Sequence, residues 1–520
     1  MKKFMTDIKT LAALLMAGAA FTACSSSDDN IIDEQPVNPA QKTYTLTVNA
    51  SKGDGAQTRA LDLTGKTLTA SWATTENVYV KKGETWATGS LQPEADGTTA
   101  TLKGSLTGIT IMADDNLTLQ FPKSGDITYA GQLGTLADIQ ANFDWATATV
   151  DVESVSPSGN INPKTATTTF TNQQAIIKFT LKDKANDAAI SPSALTVTDG
   201  TSTVELTNIP ATTYNANGDG VLYVAFPATG SAKTVTLTAT AGGKTYSYEK
   251  TGVSFTNGQY YEIGVKMSPI ISLSGRTYFD EELVIPDGYI VTGSATAYSC
   301  KVAVADGATV TLRDVENNGY LDGDPTCPGI RCIGDATIIL EGNNTVKGGG
   351  MYAGIYVPEG NTLTIRGTGL LTVTGGSGGG AGIGGNATGD ANCGSIVISG
   401  GTITATGGSG GAGIGLGYSS GCEFGDITIS GGTVTATGCD EAPGIGGPNA
   451  YFQNITITND VTQVTVNKGS GSTYSIGTSE SDDMEYCGAI TIGGTVYLNE
   501  GYFENGGDSY LQTSQLVYQP

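Results

Sequence analysis

The stretch Ala381-Gly-Ile-Gly-Gly385 decides the fold of this chain, because close copies of it follow at a fixed spacing. It returns as Ala412-Gly-Ile-Gly415 and as Pro443-Gly-Ile-Gly-Gly447, which places one isoleucine every 31 residues. The flanking text repeats in step, since 396–406 reads almost the same as 427–437. A fixed period of this size is typical of stacked supersecondary units that bury one continuous core.

Each copy offers three short strands, which in one coil lie at 395–399, 402–406 and 411–415. Isoleucine or valine alternates with threonine or serine in them, and a period of two puts the aliphatic side chains on one face. Glycine pairs permit the tight corners, where φ can be positive. The sequence therefore predicts a parallel β-helix over 269–520, with eight or nine coils, a length of about 40 Å and a cap in its Tyr- and Glu-rich tail.

The repeated Ile-x-Ile-Ser-Gly-Gly-Thr and Ala-Gly-Ile-Gly-Gly text resembles the carbohydrate-binding, pectate-lyase-like β-helix modules of secreted bacterial proteins. That resemblance implies a surface that binds a glycan. An outward tyrosine can stack on a sugar ring, so the candidate ligand-binding residues are Tyr320, Tyr352, Tyr356 and Tyr418. Scattered surface tyrosines without a ligand are the alternative.

A catalytic role of the β-helix has little support in the sequence. Asp322 and Asp324 form the best local carboxylate pair, which could hold Ca²⁺ or act in glycoside cleavage, but an Asp-Gly-Asp loop is more often a simple turn. Only four Arg and three Lys follow residue 268 to serve as a base. We expect no catalytic residues, no metal and no cofactor, and Ca²⁺ is the one ion left open.

The front half contains short strands that alternate apolar and polar side chains. Tyr44, Leu46, Val48 and Ala50 share one face of 43–50, which is the pattern of a half-buried strand. Such runs separated by turn residues predict β-sandwiches. Polar, proline-containing text around 154–165 divides the region into two sandwiches, which we place at 42–160 and 161–268.

Two segments of the front half carry a second resemblance. Residues 131–144 read Gly-Gln-Leu-Gly-Thr-Leu-Ala-Asp-Ile-Gln-Ala-Asn-Phe-Asp, and 255–267 read Phe-Thr-Asn-Gly-Gln-Tyr-Tyr-Glu-Ile-Gly-Val-Lys-Met. Both are similar to the fimbrillin family, outer-membrane lipoproteins whose subunits polymerise into type V pili. The resemblance covers about 42–268 and implies that the two sandwiches are transthyretin-like.

The fimbrillin resemblance also implies a processing site and a class of partner. In that family an Arg-directed surface protease cuts after the first strand, and a strand of a neighbouring pilus subunit fills the groove left behind. The matching site is Arg59-Ala60, which contains the only arginine before residue 276. A loop arginine without a role is the alternative. The chain continues some 250 residues beyond the fimbrillin pattern, so we expect a tip-like subunit with an added head.

Composition excludes several function classes. The chain has 520 residues, a net charge of −24 and no histidine. Without a basic stripe we expect no nucleic-acid partner, and anionic lipid is equally unsuited as an electrostatic partner. The absence of histidine removes Ser-His-Asp, Cys-His and His-based zinc chemistry.

The N-terminus reads as a lipoprotein signal. Lys2 and Lys3 precede a short apolar run over 11–21, as in a secretory signal peptide. The text before Cys24 resembles a bacterial lipobox, which implies a signal peptide over 1–23 and acylation of that thiol. Residues 24–41 form the acylated end and a linker. We therefore expect anchoring to the outer membrane by lipid alone, with the protein exposed at the cell surface.

Seven cysteines remain in the C-terminal half, and an odd number leaves at least one thiol unpaired. Cys327 with Cys332, and Cys393 with Cys422, are candidate disulfides. Buried small thiols are the alternative.

Taken together, the sequence favours an all-β, lipid-anchored adhesin with two tandem sandwiches followed by a parallel β-helix. Other pilus subunits would be its partners through strand exchange, and the β-helix would contact a glycan or a host surface. A surface glycan-binding lipoprotein that never polymerises is the first alternative, and a polysaccharide lyase or hydrolase is the second.

Overall fold

The protein is seen here in a computed structural model, which describes residues 42–51, 62–64, 67–69, 71–276, 281–295, 301–317, 327–388, 391–419, 421–478, 486–502 and 509–520. Strands are the main regular structure of those residues, which also contain two short helices, α1 (Leu136–Asn142) and α2 (Ala211–Asn217). The predicted all-β class, with sandwiches in front and a parallel β-helix behind, is confirmed. The two helices were not predicted from the sequence.

The first sandwich is built on a ten-stranded sheet in the order β5-β4-β8-β9-β10-β1-β7-β6, with β11 beside β1 and β12 beside β9. Its core includes Trp72, whose ring meets Phe121 and Phe170 edge-on at centroid distances of 6.2 and 5.3 Å. The strands of this region, with the separate β2-β3 hairpin, are β1 (Tyr44–Ser51), β2 (Asp62–Thr64), β3 (Thr67–Thr69), β4 (Tyr79–Lys82), β5 (Thr85–Trp86), β6 (Gln92–Pro93), β7 (Thr99–Leu106), β8 (Asn116–Phe121), β9 (Ala146–Val155), β10 (Asn160–Pro163), β11 (Thr167–Thr169) and β12 (Thr171–Asn172).

The boundary between the sandwiches differs from the one placed at residue 160. Strands β10, β11 and β12 pair with β1 and β9, so the first sandwich continues to Asn172. The polar, proline-containing segment around 154–165 is a hairpin inside the first sandwich, because β9 and β10 pair antiparallel. Pro157 lies in the turn and Pro163 ends β10, where no further backbone donor is needed.

The second sandwich has two groups of paired strands. In one, β13 lies between β16 and β19, and in the other the strands follow the order β15-β14-β17-β18. Its core contains Phe226, Phe255 and Tyr261 in edge-on contact. The strands are β13 (Ala175–Asp183), β14 (Ala194–Thr198), β15 (Thr203–Leu206), β16 (Val221–Phe226), β17 (Lys233–Ala241), β18 (Lys244–Val253) and β19 (Tyr260–Ser272).

The segment that carries the first fimbrillin-like motif packs between the two sandwiches. Gln132 is fully buried, its Oε1 accepts the backbone N–H of Ala225 at 2.8 Å, and its Nε2 donates to the Ala225 carbonyl at 2.8 Å. Tyr223 N–H donates to the Gly134 carbonyl at 2.9 Å. Residues 132–134 therefore close the free edge of β16, which would otherwise expose unpaired backbone groups. Thr135 then caps α1 by accepting the Asp138 N–H.

The back half is a stack of parallel strands whose coils pair in register. One sheet, β20-β22-β24-β27-β30-β32-β35-β39, holds eight described strands, in agreement with the predicted eight or nine coils. The strands of the back half are β20 (Leu283–Ile285), β21 (Ile290–Ala295), β22 (Val302–Val304), β23 (Ala308–Asn317), β24 (Ile330–Cys332), β25 (Ala336–Glu341), β26 (Asn343–Lys347), β27 (Ile355–Tyr356), β28 (Thr362–Gly367), β29 (Leu370–Thr374), β30 (Ile383–Gly384), β31 (Ser395–Thr406), β32 (Ile414–Gly415), β33 (Cys422–Phe424), β34 (Ile427–Thr437), β35 (Ile445–Gly447), β36 (Ala450–Phe452), β37 (Ile455–Ile457), β38 (Gln463–Asn467), β39 (Ile476–Thr478), β40 (Tyr486–Cys487), β41 (Ile490–Ile492), β42 (Thr495–Leu498), β43 (Gly501–Tyr502) and β44 (Gln515–Tyr518).

The repeated Gly-Ile-Gly text is explained by this stacking. Ile383 pairs with Ile414, and Ile414 with Ile445, so the three buried side chains form one column in the core. The glycine after each isoleucine has a positive φ, and a Cβ on Gly446 would lie 1.8 Å from the Gly477 carbonyl oxygen. Only glycine lets successive coils approach this closely.

Both ends of the β-helix are closed within the chain. At the front, β19 leaves the second sandwich and pairs in parallel with β21 through Ile270 and Ile290. At the back, β44 runs antiparallel to β38, and β42 runs antiparallel to β41. The predicted cap therefore consists of reversed strands, which end the parallel stacking of coils.

Candidate functional site

Strand β1 occupies the centre of the first sheet, and this is the feature on which strand exchange would depend. It pairs antiparallel with β7 over eight residues, and in parallel with β10 and β11 on its other side. Tyr44, Leu46, Val48 and Ala50 are each at most 2% exposed. The alternation predicted from the sequence is therefore confirmed, and one of the most deeply packed strands of the sandwich is also the first one that the structure describes.

Loss of β1 would leave a long groove between β7 and β10/β11. Fully burying a large apolar side chain stabilises a fold by roughly 1.5–3 kcal/mol, so Tyr44, Leu46 and Val48 together contribute roughly 5–9 kcal/mol. A typical domain has only about 5–15 kcal/mol in total. A sandwich without β1 would need another strand in the same place.

The second feature is a shallow cavity of about 500 Å³ at one corner of the β-helix. We call it the Tyr418 corner, and its lining residues are Ser377, Gly378, Ser409, Gly410, Tyr418, Asp440 and Glu441. These residues come from three successive coils, because corners of neighbouring coils stack on one another. Ser409 and Asp440 lie one 31-residue period apart, and the serine Oγ donates to Asp440 Oδ2 at 2.7 Å.

Tyr418 is the most exposed tyrosine in this corner, with 56% of its surface accessible. Its ring lies against Gly410, where a Cβ would come within 2.4 Å of the ring carbon Cδ2. Its backbone N–H donates to the Gly379 carbonyl at 2.7 Å, and a Cβ on Gly379 would meet the tyrosine Cβ at 2.8 Å. Two glycines therefore make room for the ring and hold it at the surface.

The other described tyrosines that were predicted as ligand contacts are less exposed than Tyr418 and so less suited to stacking on a sugar ring. Tyr352 is half-buried, and Tyr356 is only 8% exposed. The expectation that Tyr356 offers an outward ring is therefore wrong, because it pairs with Arg331 in the eight-stranded sheet and is covered there. Tyr320 lies outside the described residues, as do Asp322, Asp324, Cys24, Arg59 and Ala60.

The acidic residues of the Tyr418 corner were missed at the level of sequence. Asp440 and Glu441 replace the Ser-Gly pair that occupies the same corner one coil earlier, at Ser409 and Gly410. A column-by-column alignment of the 31-residue repeat would have shown this change. Beside them, burial, followed by the Asp440 carboxylate, raises the pKa of the Cys439 thiol.

Thiols and metal-binding groups give no second site. No disulfide joins any two of the six described cysteines, so the candidate pairs Cys327–Cys332 and Cys393–Cys422 do not form. Burial raises the pKa of Cys332 to about 12, as expected for an inert structural thiol. Within the described ranges, no group of three or more Cys, Asp and Glu side chains is placed to hold a metal ion.

An ion pair links two coils near the start of the β-helix. Arg331 donates from Nε to Glu282 Oε1 at 3.0 Å and from Nη2 to Oε2 at 2.6 Å. The arginine hydrogen bonds lower the pKa of Glu282, while burial opposes them. No helix in the part of the chain that the structure describes is long and apolar enough to cross a membrane.

Comparison with known proteins gives one family match and several distant structural likenesses. Residues 396–418 and 427–449 match the family described as beta helix repeat. No curated protein matches the chain. Of the solved structures, a proposed cell adhesion protein from Bacteroides ovatus is 14% identical with a TM-score of 0.26, covering 44% of this chain and 95% of its own.

A fimbrial protein from Bacteroides ovatus is 10% identical with a TM-score of 0.22, covering 43% of this chain and 49% of its own. A proposed cell adhesion protein from Bacteroides uniformis is 11% identical with a TM-score of 0.23, covering 45% and 94%. Their printed names are of the kind that the fimbrillin resemblance of the front half implied. At such identities and TM-scores they carry no argument about function, which must come from this chain's own residues.

Proposed function

We propose that the protein is a cell-surface adhesin, a tip-like fimbrial subunit that receives a strand from another pilus subunit and presents its β-helix as the head. The observation that supports this most is the position of β1. It is central, deeply buried and the first strand of the described residues, and the sequence places Arg59 in the segment that follows it. A single cut there would separate β1 from the rest of its sheet.

The ends of the β-helix support its place as a head. Reversed strands β42 and β44 close its far end, and Leu511 and Leu516 of the terminal segment lie in its core. A further coil could not stack there without displacing them. The described part of this segment packs on its own β-helix, which supports a partner subunit as the source of the strand that fills the groove.

The experiment is digestion of the soluble chain, beginning at residue 25, with an Arg-specific protease. We expect one early cut after Arg59, because the other arginines lie in or near the β-helix. When a purified fimbrillin subunit is then added, we expect the cut chain to take up a strand from it. The Arg59→Lys variant is the matched control, since it keeps the charge but removes the cleavage site. A cut chain that stays monomeric with the partner would contradict the assembly role.

A surface glycan-binding lipoprotein that never polymerises is the second candidate. The Tyr418 corner favours this candidate, because all of its lining residues belong to the β-helix and binding there requires no cleavage or strand exchange in the first sandwich. It would bind glycan and remain monomeric in the digestion experiment. Release of unsaturated products or reducing ends from polysaccharides would instead indicate a lyase or hydrolase, and Asp322→Ala would abolish it if the Asp322/Asp324 pair acts.

A further inference from the structure

We propose that the Tyr418 corner binds an uncharged sugar residue of a glycan, by stacking on Tyr418 and by hydrogen bonds to Asp440 and Glu441. This inference rests on the proposed adhesin function and names the class of ligand. It is carried by three features that meet in one cavity: a supported aromatic ring, a rim of hydrogen-bond acceptors and a local negative charge.

The aromatic ring is held in place before any ligand arrives. Gly410 and Gly379 lie directly beneath Tyr418, and the backbone hydrogen bond to Gly379 fixes the start of its side chain. A ring with little freedom to lose binds at a lower entropic cost. Its exposed side is flat and apolar with a polar tip, which suits the alternating C–H and hydroxyl edges of a sugar.

The acceptors surround the ring on one side. Asp440 takes the Ser409 hydroxyl on Oδ2, which orients the carboxylate, and its backbone has a positive φ of 50°. Glu441 is exposed, and among the described residues it has no hydrogen-bond partner. Ionised carboxylates only accept hydrogen bonds, and bonds to them are stronger than neutral ones. Sugar hydroxyls are donors of the required kind.

The charge of the corner excludes acidic sugars. Asp440 and Glu441 are the only charged residues in its lining, and neither lysine nor arginine contributes. Over the whole chain after residue 268, 25 acidic side chains stand against seven basic ones. A uronate or sialate would meet like charge at close range, which costs affinity and slows association. A cavity of this volume lies in the usual range for small-ligand sites.

The test is native affinity electrophoresis of the full soluble chain in gels that contain one polysaccharide each. The neutral probes are yeast mannan, a β-glucan and a galactan, and the anionic probe is polygalacturonate. We expect retardation by at least one neutral polymer and none by polygalacturonate. Tyr418→Ala should weaken binding about tenfold or more, equal to about 1.4 kcal/mol, while Tyr418→Phe keeps most of it because stacking needs only the ring.

Tyr451→Ala is the matched control, because Tyr451 is 40% exposed on β36 and lies outside the corner. Its binding should equal that of the unchanged chain, and circular dichroism should show both alanine variants folded. Equal binding by Tyr418→Ala, preferential binding of polygalacturonate, or no retardation by any neutral polymer would each overturn the inference. The digestion experiment at Arg59 decides the pilus role separately, so the two failures can be told apart.

Discussion

Replacing Gln132 by alanine should uncouple the two sandwiches, and the structure gives the size of the effect. The side-chain amide of Gln132 pairs with both backbone groups of Ala225, at 2.8 Å each, and also donates to the Tyr129 carbonyl at 3.0 Å. It thus imitates one residue of a neighbouring strand at the edge of β16. Alanine leaves the Ala225 N–H and C=O buried without partners.

Each buried polar group that loses its partner costs about 1–3 kcal/mol, so the two groups of Ala225 predict a loss of roughly 2–6 kcal/mol. The small core at this junction, which contains Ile139, Phe143 and Ile176, would also lose its cover. Gln132→Glu should be nearly as damaging, because the second carboxylate oxygen would face the Ala225 carbonyl oxygen in place of a donor.

Differential scanning calorimetry of the full soluble chain measures this change. We expect the transition of the front half to move to lower temperature and to split into two, while the transition of the β-helix stays in place. Gln173→Ala is the control, since the Gln173 amide bonds Thr147 and Thr171 near the surface and its loss should cost less than about 1 kcal/mol. A Gln132→Ala chain with the melting profile of the control would refute the coupling role.

Three further predictions concern the β-helix. Gly446→Ala should destabilise its calorimetric transition by about 3 kcal/mol or more, because a strained φ and overpacking each cost about 1–3 kcal/mol, whereas Gly264→Ala in open space should stay within about 0.5 kcal/mol. Glu282→Gln should cost less than about 1 kcal/mol at pH 7, as a half-exposed pair. Its arginine partner lowers the Glu282 pKa, so the contribution is present above the ordinary value of 4.5 and is lost as the pH falls through the lowered pKa of the folded state; a difference in melting temperature that does not shrink as the pH is lowered would contradict this. In thiol labelling of the folded chain, the half-buried Cys422 should react well before the buried Cys332, which should be labelled only after denaturation; equal rates would show that the core opens.

The β-helix was predictable because the same packing requirements recur in every coil and therefore repeat in the sequence. Each 31-residue copy has a buried position that takes an isoleucine, as at Ile383, and the next position has no room for a Cβ. Isoleucine and glycine therefore recur at a fixed period. Strand β1 was equally predictable, since Tyr44 and the alternate residues after it face one core. In both cases the signal is local in sequence.

The Tyr418 corner could not be assembled from sequence in the same way. Ser377, Ser409 and Asp440 lie more than 60 residues apart from first to last, and only the exact register of three coils brings them to one cavity. Tyr356 shows a related limit, because its burial depends on neighbours in adjacent coils that a single repeat does not reveal. The sandwich boundary failed for a related reason: turn residues mark a hairpin and a domain end alike.

A continuous series of hydrogen bonds runs from the first sandwich to the β-helix, and this arrangement suits a protein that must resist a pulling force. Gln132 ties the first sandwich to β16, β16 pairs with β13, and β13 pairs with β19 in parallel over eight residues. The end of β19 then pairs with β21, a strand of the first coil of the β-helix. Tension along β19 would shear its ladder with β13, so that many hydrogen bonds resist together and no single one is opened first. A flexible linker between sandwich and β-helix would have sufficed to display a glycan-binding surface. A shared 13-residue strand is better explained by a need to transmit force, which favours the adhesin over a surface lipoprotein that only captures soluble glycan.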